Sequence, residues 1–409
     1  MIGAGWGDWP AWRGPSGDGR SLETEAPLRW SRTENVRWRV ALPGPGNSTP
    51  AVWGDTVFLT QGAGTTRVVT ALDRRNGRVR WNLGVPGVAR ERTQRSNPAG
   101  SSSPVTDGER VVAWFGSAGL VAVDMEGRGL WRLDLGRQEH RFGYGSSPVM
   151  DDRRVYLNFG PGSREFVVAV DKRTGREVWR VEGPVPGADD TYGTWSTPLL
   201  AEVEGRWQLL VALRDHVAGL NPDSGHTIWQ ARGLGLQAKA SPVAGGGVVV
   251  VAGDLRGAEL AIRLGGRGDV TDTHRVWRES PARSRIGTGV IHEGHLYGAR
   301  ANGILDCLDL ETGEPVWSER MPGAGANGAI WSSPMLVGDR IYVVNQGGDT
   351  VVIRASPRFE VLAVNALDEV VNASPAVSRG ELFIRTWQAL WCLGGTDGPT
   401  TGPGTSGSR

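Results

Sequence analysis

Two tryptophans and one lysine are the residues whose types and spacing point most directly to binding chemistry. Trp195, Lys239 and Trp331 each lie three positions ahead of the proline in a Ser/Thr-Pro pair that recurs along the chain. An indole ring can stack on a planar ligand, and an ammonium group can bind the ligand's oxygen atoms. Repetition for packing would place the same residue at each such position, so this uneven set predicts a ligand-binding funnel. The further members that we predict for the funnel are Asn47, Asn97, Tyr144, Asp190, Arg285 and Asn372.

A second interpretation of the same residues is structural. Loops at the mouth of a channel are polar because they are hydrated, and the two tryptophans would then only cap the channel. Lys239 is the hardest of them to explain in this way, since its flanks in GLGLQAKASPVAG carry no other charge. An ammonium group that faces inward needs an acidic or carbonyl partner, and we expect Asp189 or Asp190 to supply it.

Two further motifs suggest metal binding, and each also has a simpler interpretation. His292 and His295 could form a metal-ligand pair, but HEGH aligns with DGER at 107–110 as a hairpin turn between strands. Asp189 and Asp190 fit an acid and base pair or two calcium ligands, although adjacent aspartates in a loop rich in Pro and Gly are more often solvated. We therefore predict no metal site.

An internal repeat supplies the elements that position these residues. Each unit starts with Ser/Thr-Pro and ends with a stretch such as AVDKRTGREVW at 169–179. Alternation of period two around Asp-Gly and Thr-Gly turns indicates strands, and each unit has the length of a four-stranded propeller blade. We predict an all-β, eight-bladed β-propeller with four antiparallel strands per blade. Seven units start at Pro50, Pro104, Pro148, Pro198, Pro242, Pro334 and Pro375, and in the eighth, TGVIHEGHLYG, Gly289 takes the place of the proline.

The two ends of the chain predict how the ring closes. The last unit supplies only three strands, while ENVRWRVALPG is an orphan strand of the fourth type that precedes the first start. We expect residues 34–42 to complete the last blade. The predicted organisation is an N-terminal extension at 1–29, the propeller at 30–394 and a disordered tail at 395–409, which is too rich in Gly, Ser, Thr and Pro to form a core.

The repeated tryptophan has a structural interpretation. It ends the outermost strand, where a large flat ring can pack on the glycine turn of a neighbouring blade. A small residue precedes each turn, and Cys307 and Cys392 take this place in two blades, so we predict buried thiols and no disulfide. The tryptophans predicted to dock in this way are Trp38, Trp81, Trp131, Trp179, Trp229, Trp277 and Trp317.

The composition excludes several classes of partner. Lys and Arg total 45 and Asp and Glu total 44, so no long-range field favours nucleic acid or an anionic membrane surface. Two cysteines exclude a disulfide-rich scaffold or a four-cysteine zinc site. No apolar run is long enough to span a bilayer, and the chain as printed begins without a signal peptide. We expect a soluble monomer.

The pattern A-x-D-x-x-T-G-x-x-x-W resembles the tryptophan-docking repeat of the PQQ-like β-propellers, which include quinoprotein dehydrogenases and the BamB-like assembly factors. The stretch DWPAWRGPSGDGRS at 8–21 is similar to the opening of exported bacterial members, and residues 359–394 are similar to their closing blades. The resemblance implies a periplasmic or secreted protein, while the missing signal peptide leaves the cytoplasm open.

The resemblance leaves two functions to compare. Quinoprotein dehydrogenases are longer and carry an adjacent cysteine pair, which this chain lacks, and no C-x-x-C-H haem signature is present. We therefore expect a non-catalytic binding or scaffold module for a protein or an extracellular ligand, with no cofactor. The alternative is a quinoprotein-type oxidoreductase, with pyrroloquinoline quinone (PQQ) and calcium in the funnel, or another enzyme with its site there. A third option is the sensor half of a separately encoded signalling system.

Overall fold

The computed structural model describes residues 3–85, 91, 93–162, 164–183, 192–253, 257–323 and 328–394. The predictions for Asp189, Asp190 and the tail at 395–409 fall outside these ranges. Within them, the chain forms eight four-stranded antiparallel units arranged as the blades of a propeller, as predicted.

Strand β1 (Val36–Ala41) precedes the first blade. Blade 1 contains β2 to β5 (Ala51–Trp53, Thr56–Ala63, Thr66–Asp73, Val79–Val85), blade 2 contains β6 to β9 (Val105–Thr106, Arg110–Trp114, Leu120–Asp124, Gly129–Leu133), and blade 3 contains β10 to β13 (Val149–Met150, Arg154–Phe159, Phe166–Asp171, Glu177–Glu182). A short 3₁₀ helix covers Gly116–Ala118. After β14 (Gly193–Thr194), blade 4 contains β15 to β18 (Leu199–Val203, Arg206–Leu213, His216–Leu220, Thr227–Arg232).

The second half of the ring repeats this plan after β19 (Gln237–Ala238), which pairs in parallel with β14. Blade 5 contains β20, β21, β22 and β24 (Val243–Gly245, Val248–Ala252, Glu259–Arg263, Arg275–Glu279), and β23 (Gly268–Asp269) joins the outer edge of blade 4. Blade 6 contains β25 to β28 (Val290–His292, His295–Ala299, Ile304–Asp309, Pro315–Arg320), blade 7 contains β29 to β32 (Met335–Val337, Arg340–Val344, Asp349–Arg354, Val361–Ala366), and blade 8 contains β33 to β35 (Ala376–Ser378, Glu381–Arg385, Ala389–Leu393).

The N-terminal strand closes the ring, as the sequence predicts. Strand β1 pairs with β35 in antiparallel register, with Trp38 opposite Cys392, and so becomes the outermost strand of blade 8. Two details of the repeat are also confirmed. His292 and His295 face each other across a hairpin turn, and both cysteines are buried free thiols.

The core lies between adjacent blades, and this explains the strand sequences. The middle strands pack on both faces, so a strand such as β12, with the sequence FVVAVD, is buried along most of its length. The outermost strand has one wet face, and β1 accordingly alternates between half-buried and exposed residues. The middle strands are therefore continuous apolar runs, whereas the outermost strand alternates between residues that face the core and residues that face solvent.

Most of the repeated tryptophans contact the turn of the next blade. Trp131 donates its indole N–H to the carbonyl of Lys172 at 2.9 Å and covers Gly175, whose φ of 72° is one that residues with a side chain rarely adopt. A Cβ at Gly175 would lie 2.6 Å from the ring, so the turn needs glycine for both reasons. The same bond to a neighbouring carbonyl is made by Trp38, Trp81, Trp179, Trp277 and Trp317.

Trp229 departs from this pattern. Its indole N–H donates to the side chain of Gln208 in its own blade at 2.8 Å, and the ring is fully buried. The reason is the next blade, where residues 264–274 replace the short glycine turn and β23 pairs with β18 at Trp229. The prediction that Trp229 docks on the glycine turn of the neighbouring blade is therefore wrong.

Candidate functional site

A cavity of about 380 Å³ opens where the innermost strands of the blades begin. Its lining includes the residue three positions ahead of the proline, or of Gly289, in every blade. We call this cavity the socket and these residues the socket ring. The socket ring consists of Asn47, Ser101, Gly145, Trp195, Lys239, Ile286, Trp331 and Asn372.

The members of the socket ring differ in how well the fold accounts for them. Trp195 donates its indole N–H to the carbonyl of Gly143 at 2.9 Å and packs edge-on against His140. Trp195 therefore has structural contacts, as the capping interpretation requires. For Lys239 and Trp331, by contrast, the described part of the chain offers no hydrogen-bond or ion-pair partner. Lys239 is also the one charged residue among the described residues of the lining.

The two asparagines of the socket ring bind the loop that contains Ser96. The side-chain amides of Asn47 and Asn372 both donate to the carbonyl of Ser96, at 2.9 and 3.0 Å. Their amide oxygens accept hydrogen bonds in turn, from the indole of Trp387 at 3.2 Å and from the amide of Gln346 at 2.7 Å. These two asparagines thus position the loop, and most of their bonding capacity is used.

Asn97 also lines the socket, and it has a structural role. It donates to the carbonyls of Phe142 and Tyr144 at 2.7 and 2.9 Å. The bonds tie the loop between blades 1 and 2 to the segment that enters blade 3. Asn97 therefore holds together two segments of the socket wall, its own loop and the segment that contains Phe142.

A second ring of eight residues lies directly below the socket ring, and the sequence reasoning missed its role. The hydroxyl that immediately precedes each proline, or Gly289, accepts the backbone N–H of the equivalent residue in the preceding blade, at 2.8 to 3.2 Å. The bonds run once around the propeller and return to the start. We call this the hydroxyl ring; it consists of Thr49, Ser103, Ser147, Thr197, Ser241, Thr288, Ser333 and Ser374.

The hydroxyl ring explains why the repeat needs Ser or Thr before the proline. The backbone N–H at this position is buried, and the neighbouring hydroxyl oxygen satisfies it. Each hydroxyl keeps its own proton for a further bond, and five of the eight hydroxyls line the socket. The socket thus offers hydroxyl protons, an ammonium group and indole faces to a ligand.

The N-terminal segment closes the other end of the channel. Trp9 pairs with Val52 of blade 1, and the carbonyl of Gly19 accepts the N–H of Leu336 in blade 7. Between them, Arg13 is buried and donates to the carbonyls of Thr288 and Pro334 at 2.7 and 3.1 Å. Thr288 belongs to the hydroxyl ring, and Pro334 directly follows Ser333 of that ring, so Arg13 holds the segment against the hydroxyl ring. The motif DWPAWRGPSGDGRS therefore forms a plug within the propeller.

The plug also contributes a wall of the socket through Trp12. Sequence reasoning noted the motif as a family signature and did not place Trp12 in the site. The signal available was the density of Trp, Pro and Gly in a segment outside the eight repeats. Such a segment must pack somewhere if its tryptophans are to be buried, and the channel axis is the place that the repeats leave open.

The structure places two predicted funnel residues elsewhere. Tyr144 is buried against Trp114, with ring centroids 4.8 Å apart. Arg285 is buried between blades and pairs with Glu259 at 2.9 Å and Asp306 at 3.0 Å. Both residues lie four positions ahead of the proline, or of Gly289, and adjacent residues of an extended segment point in opposite directions. The predicted role of Arg285 in binding ligand oxygens is therefore wrong, because its charge is already neutralised.

The described lining is a poor fit for calcium and quinone together. Calcium takes six to eight oxygen ligands, carboxylates prominent among them, and the described residues of the socket include no carboxylate. The oxygens of Asn47 and Asn372 are engaged, as described above. The described ranges also hold no group of three or more His, Cys, Asp or Glu side chains arranged for a metal ion.

Fold and site together define the class of the protein. It is an eight-bladed propeller with a socket at one end of its channel and a plug at the other. The family model described as outer membrane protein assembly factor BamB matches residues 29–162 and 163–400, and the chain belongs to this PQQ-like propeller family. Within the described ranges, no helix has the length and apolar character that crossing a bilayer requires.

Similar proteins fall on both sides of the functional question. Over 191 residues the chain is 30% identical to the outer membrane protein assembly factor BamB of Burkholderia pseudomallei, covering 46% of this chain and 44% of that relative, which is less than half of its length. The structure of BamB from Moraxella catarrhalis superposes with a TM-score of 0.64 at 15% identity, covering 88% of this chain and 99% of that one. A quinohemoprotein alcohol dehydrogenase from Pseudomonas putida gives 0.68 at 14% identity, covering 98% and 82%. At identities of 14 and 15%, these superpositions establish the shared fold alone.

Proposed function

We propose that the protein is a non-catalytic binding module that receives its ligand in the socket. The observation that carries this proposal is the contrast between the two rings. The hydroxyl ring is uniform because the architecture requires it. In the socket ring, by contrast, an ammonium group and a tryptophan that have no hydrogen-bond or ion-pair partner among the described residues face the same cavity. Polar groups that face a cavity without partners are those that a ligand can satisfy.

The ligand that we propose is either a small extracellular molecule or a segment of a partner protein inserted into the socket. A volume of about 380 Å³ lies within the range of small-molecule sites. The family supports a protein partner, since relatives in it are named as assembly factors. We propose a periplasmic or secreted location on the same ground.

A melting-temperature screen tests this proposal. The full chain is heated with a panel of small organic anions, amino acids, sugars and short peptides, and each compound that stabilises it is repeated with Trp331→Phe and Lys239→Gln. A ligand that binds only the folded state raises the melting temperature, and at a fixed ligand concentration the rise increases with the logarithm of its affinity. We expect at least one compound whose effect is reduced in both variants and retained in Val316→Ala, an exposed residue of the rim of blade 6. Stabilisation that is the same in all four proteins would contradict the proposal.

The alternative is a quinoprotein-type oxidoreductase. The quinohemoprotein dehydrogenase among the similar structures and the indole faces in the socket favour it. The described lining of the socket argues against this alternative, since none of its residues supplies a carboxylate for calcium. If PQQ with calcium quenches tryptophan fluorescence and raises the melting temperature of the wild type, and Trp331→Phe loses both effects, the oxidoreductase becomes the better account.

A further inference from the structure

The seam between blades 4 and 5 differs from the regular docking seams, and a second cavity lies there. Trp229 bonds within its own blade, and residues 264–274 take the place of the glycine turn that a tryptophan covers elsewhere. The cavity has a volume of about 450 Å³. It lies on the face opposite the mouth of the socket, because the hairpin turns between the first two strands of each blade are at that end.

Apolar residues from both blades form the walls of this cavity, which we call the seam groove. Leu199, Leu200 and Val203 come from the first hairpin of blade 4, and Trp207 returns along the next strand. The opposite wall consists of Ala244 to Gly247 and Leu264 of blade 5, held together by the bond from the N–H of Leu264 to the carbonyl of Gly247 at 2.8 Å. Trp207 is 41% exposed, which is unusual for a tryptophan in this molecule.

Carboxylates surround the apolar surface of the seam groove. Glu202 lies directly opposite Trp207 in the register of β15 and β16, Glu204 occupies the turn, and Asp18 approaches from the plug. Within the described ranges, no Lys, Arg or His side chain forms an ion pair with Glu202 or Glu204. The arrangement differs from the seams nearby, where Asp107 pairs with Lys172 at 2.8 Å and Glu165 with Arg214 at 2.7 Å.

We propose that the seam groove binds an extended basic segment of a partner protein. Aliphatic side chains of the segment would cover Leu264, which is half-buried, and the exposed backbone of Gly246 and Gly247. A Lys or Arg side chain would lie on the face of Trp207 with its charge toward Glu202 and Glu204. Long basic side chains suit this surface because their methylene groups bury apolar area while the charged end reaches a carboxylate. A cation over an indole adds further attraction. The site is independent of the socket, so the module would bind on both of its faces.

Peptide binding to the full chain tests the proposal. The probe is a fluorescein-labelled peptide, Lys-Leu-Arg-Leu-Lys, and the matched probe is Glu-Leu-Gln-Leu-Glu; binding is followed by fluorescence anisotropy. We expect the basic peptide to bind and the acidic one not to. The affinity of the basic peptide should fall about tenfold or more in the double variant Glu202→Gln/Glu204→Gln and in Trp207→Ala. It should also fall as salt rises from about 50 to about 300 mM, because exposed charges are screened.

Two controls separate the seam groove from general charge effects and from the socket. Glu293 occupies the same turn position in blade 6 as Glu204 does in blade 4, with φ of 45° and 50°. Glu293→Gln removes one carboxylate, as the Glu204→Gln half of the double variant does, without touching the groove, and it should leave the affinity within about twofold. Lys239→Gln, which alters the socket, should do the same. The proposal is overturned if the basic peptide does not bind the wild type, or if Glu202→Gln/Glu204→Gln and Glu293→Gln weaken it equally.

Discussion

The hydroxyl ring and the socket ring lie two positions apart in the same eight loops, yet they follow different rules. Every member of the hydroxyl ring is Ser or Thr, whereas the socket ring contains six residue types. The difference follows from what each ring contacts. The hydroxyls satisfy buried N–H groups of the neighbouring blade, so the architecture fixes them in every blade. The socket ring lines the cavity and makes no bond that recurs from blade to blade, so its residue types can vary. Repetition therefore marks residues that hold the fold, and departure from repetition marks candidates for binding.

The largest loss of stability is expected for a variant of Arg285. This residue directly precedes Ile286 of the socket ring in sequence, but its side chain lies in a buried ion-pair network. Arg285→Met leaves Glu259 and Asp306 buried with fewer cations around them, and we expect a loss of about 3–5 kcal/mol in the free energy of unfolding. Lys239→Met is the matched control and should cost far less. Urea unfolding measures both. If Arg285→Met abolished ligand binding without loss of stability, Arg285 would belong to the site after all.

The same variant should change the response to acid. Burial by itself would raise the pKa of Asp306, but the hydrogen bond from Arg300 and the charge of Arg285 hold it below its usual value. A carboxyl whose pKa is lower in the folded state than in the unfolded chain stabilises the fold above the unfolded pKa, and this contribution is lost as the pH falls through the folded pKa. Without Arg285 the folded pKa rises, so we expect acid unfolding of Arg285→Met to begin at a higher pH than that of the wild type. Coinciding acid transitions would contradict this.

A smaller effect is expected in the hydroxyl ring. Thr288 lies outside the lining of the socket, and its hydroxyl accepts the N–H of Ser241 at 2.8 Å. Thr288→Val keeps the shape and leaves that N–H buried without a partner, which should cost about 1–3 kcal/mol. The loss should appear in urea unfolding, while the binding of any socket ligand should persist. An unchanged free energy of unfolding would mean that the ring of bonds is not needed.

The docked tryptophans should respond more weakly to loss of their polar bond. Trp131→Phe keeps most of the ring and removes the bond to the carbonyl of Lys172, so we expect a loss of about 1 kcal/mol. Trp331→Phe removes no hydrogen bond to a described residue and should cost less than about 0.5 kcal/mol. Thermal or urea unfolding distinguishes the two. A larger loss in the free energy of unfolding for Trp331→Phe than for Trp131→Phe would mean that Trp331 stabilises the fold.

The smallest change in stability is expected for Lys239→Gln. Since no ion pair with a described residue is lost, the free energy of unfolding should stay within about 0.5 kcal/mol of the wild type. Ligand binding should nevertheless fall. Isothermal titration with a ligand found in the melting screen measures the second effect, and equal affinity in both proteins would remove Lys239 from the site.

Much of the fold could be predicted from the sequence because the repeat is local and periodic. Eight starts, the turn before each tryptophan and the closing strand with Trp38 can all be read along the chain, and the positions three ahead of the proline are those that line the socket. The errors concern neighbours that are distant in sequence. The pairing of Arg285 with Glu259 and Asp306 joins parts of two blades, and Trp229 changes partner because of a loop in the following blade.

The closed end of the channel could not be predicted for a related reason. Arg13 binds carbonyls more than 270 residues away in sequence, at Thr288 and Pro334. Such contacts follow from the closure of the ring, which brings the N-terminal segment across the axis. The repeat alone shows that an axis exists. It does not show which segment fills it.

We propose that the two adjacent rings divide stability and binding between them. The most direct test compares the free energy of unfolding of two double variants, Thr49→Val/Thr288→Val in the hydroxyl ring and Lys239→Gln/Trp331→Phe in the socket ring, by urea denaturation. We predict a loss of at least about 2 kcal/mol for the first and of less than about 1 kcal/mol for the second. Equal losses, or a larger loss in the socket pair, would contradict the division.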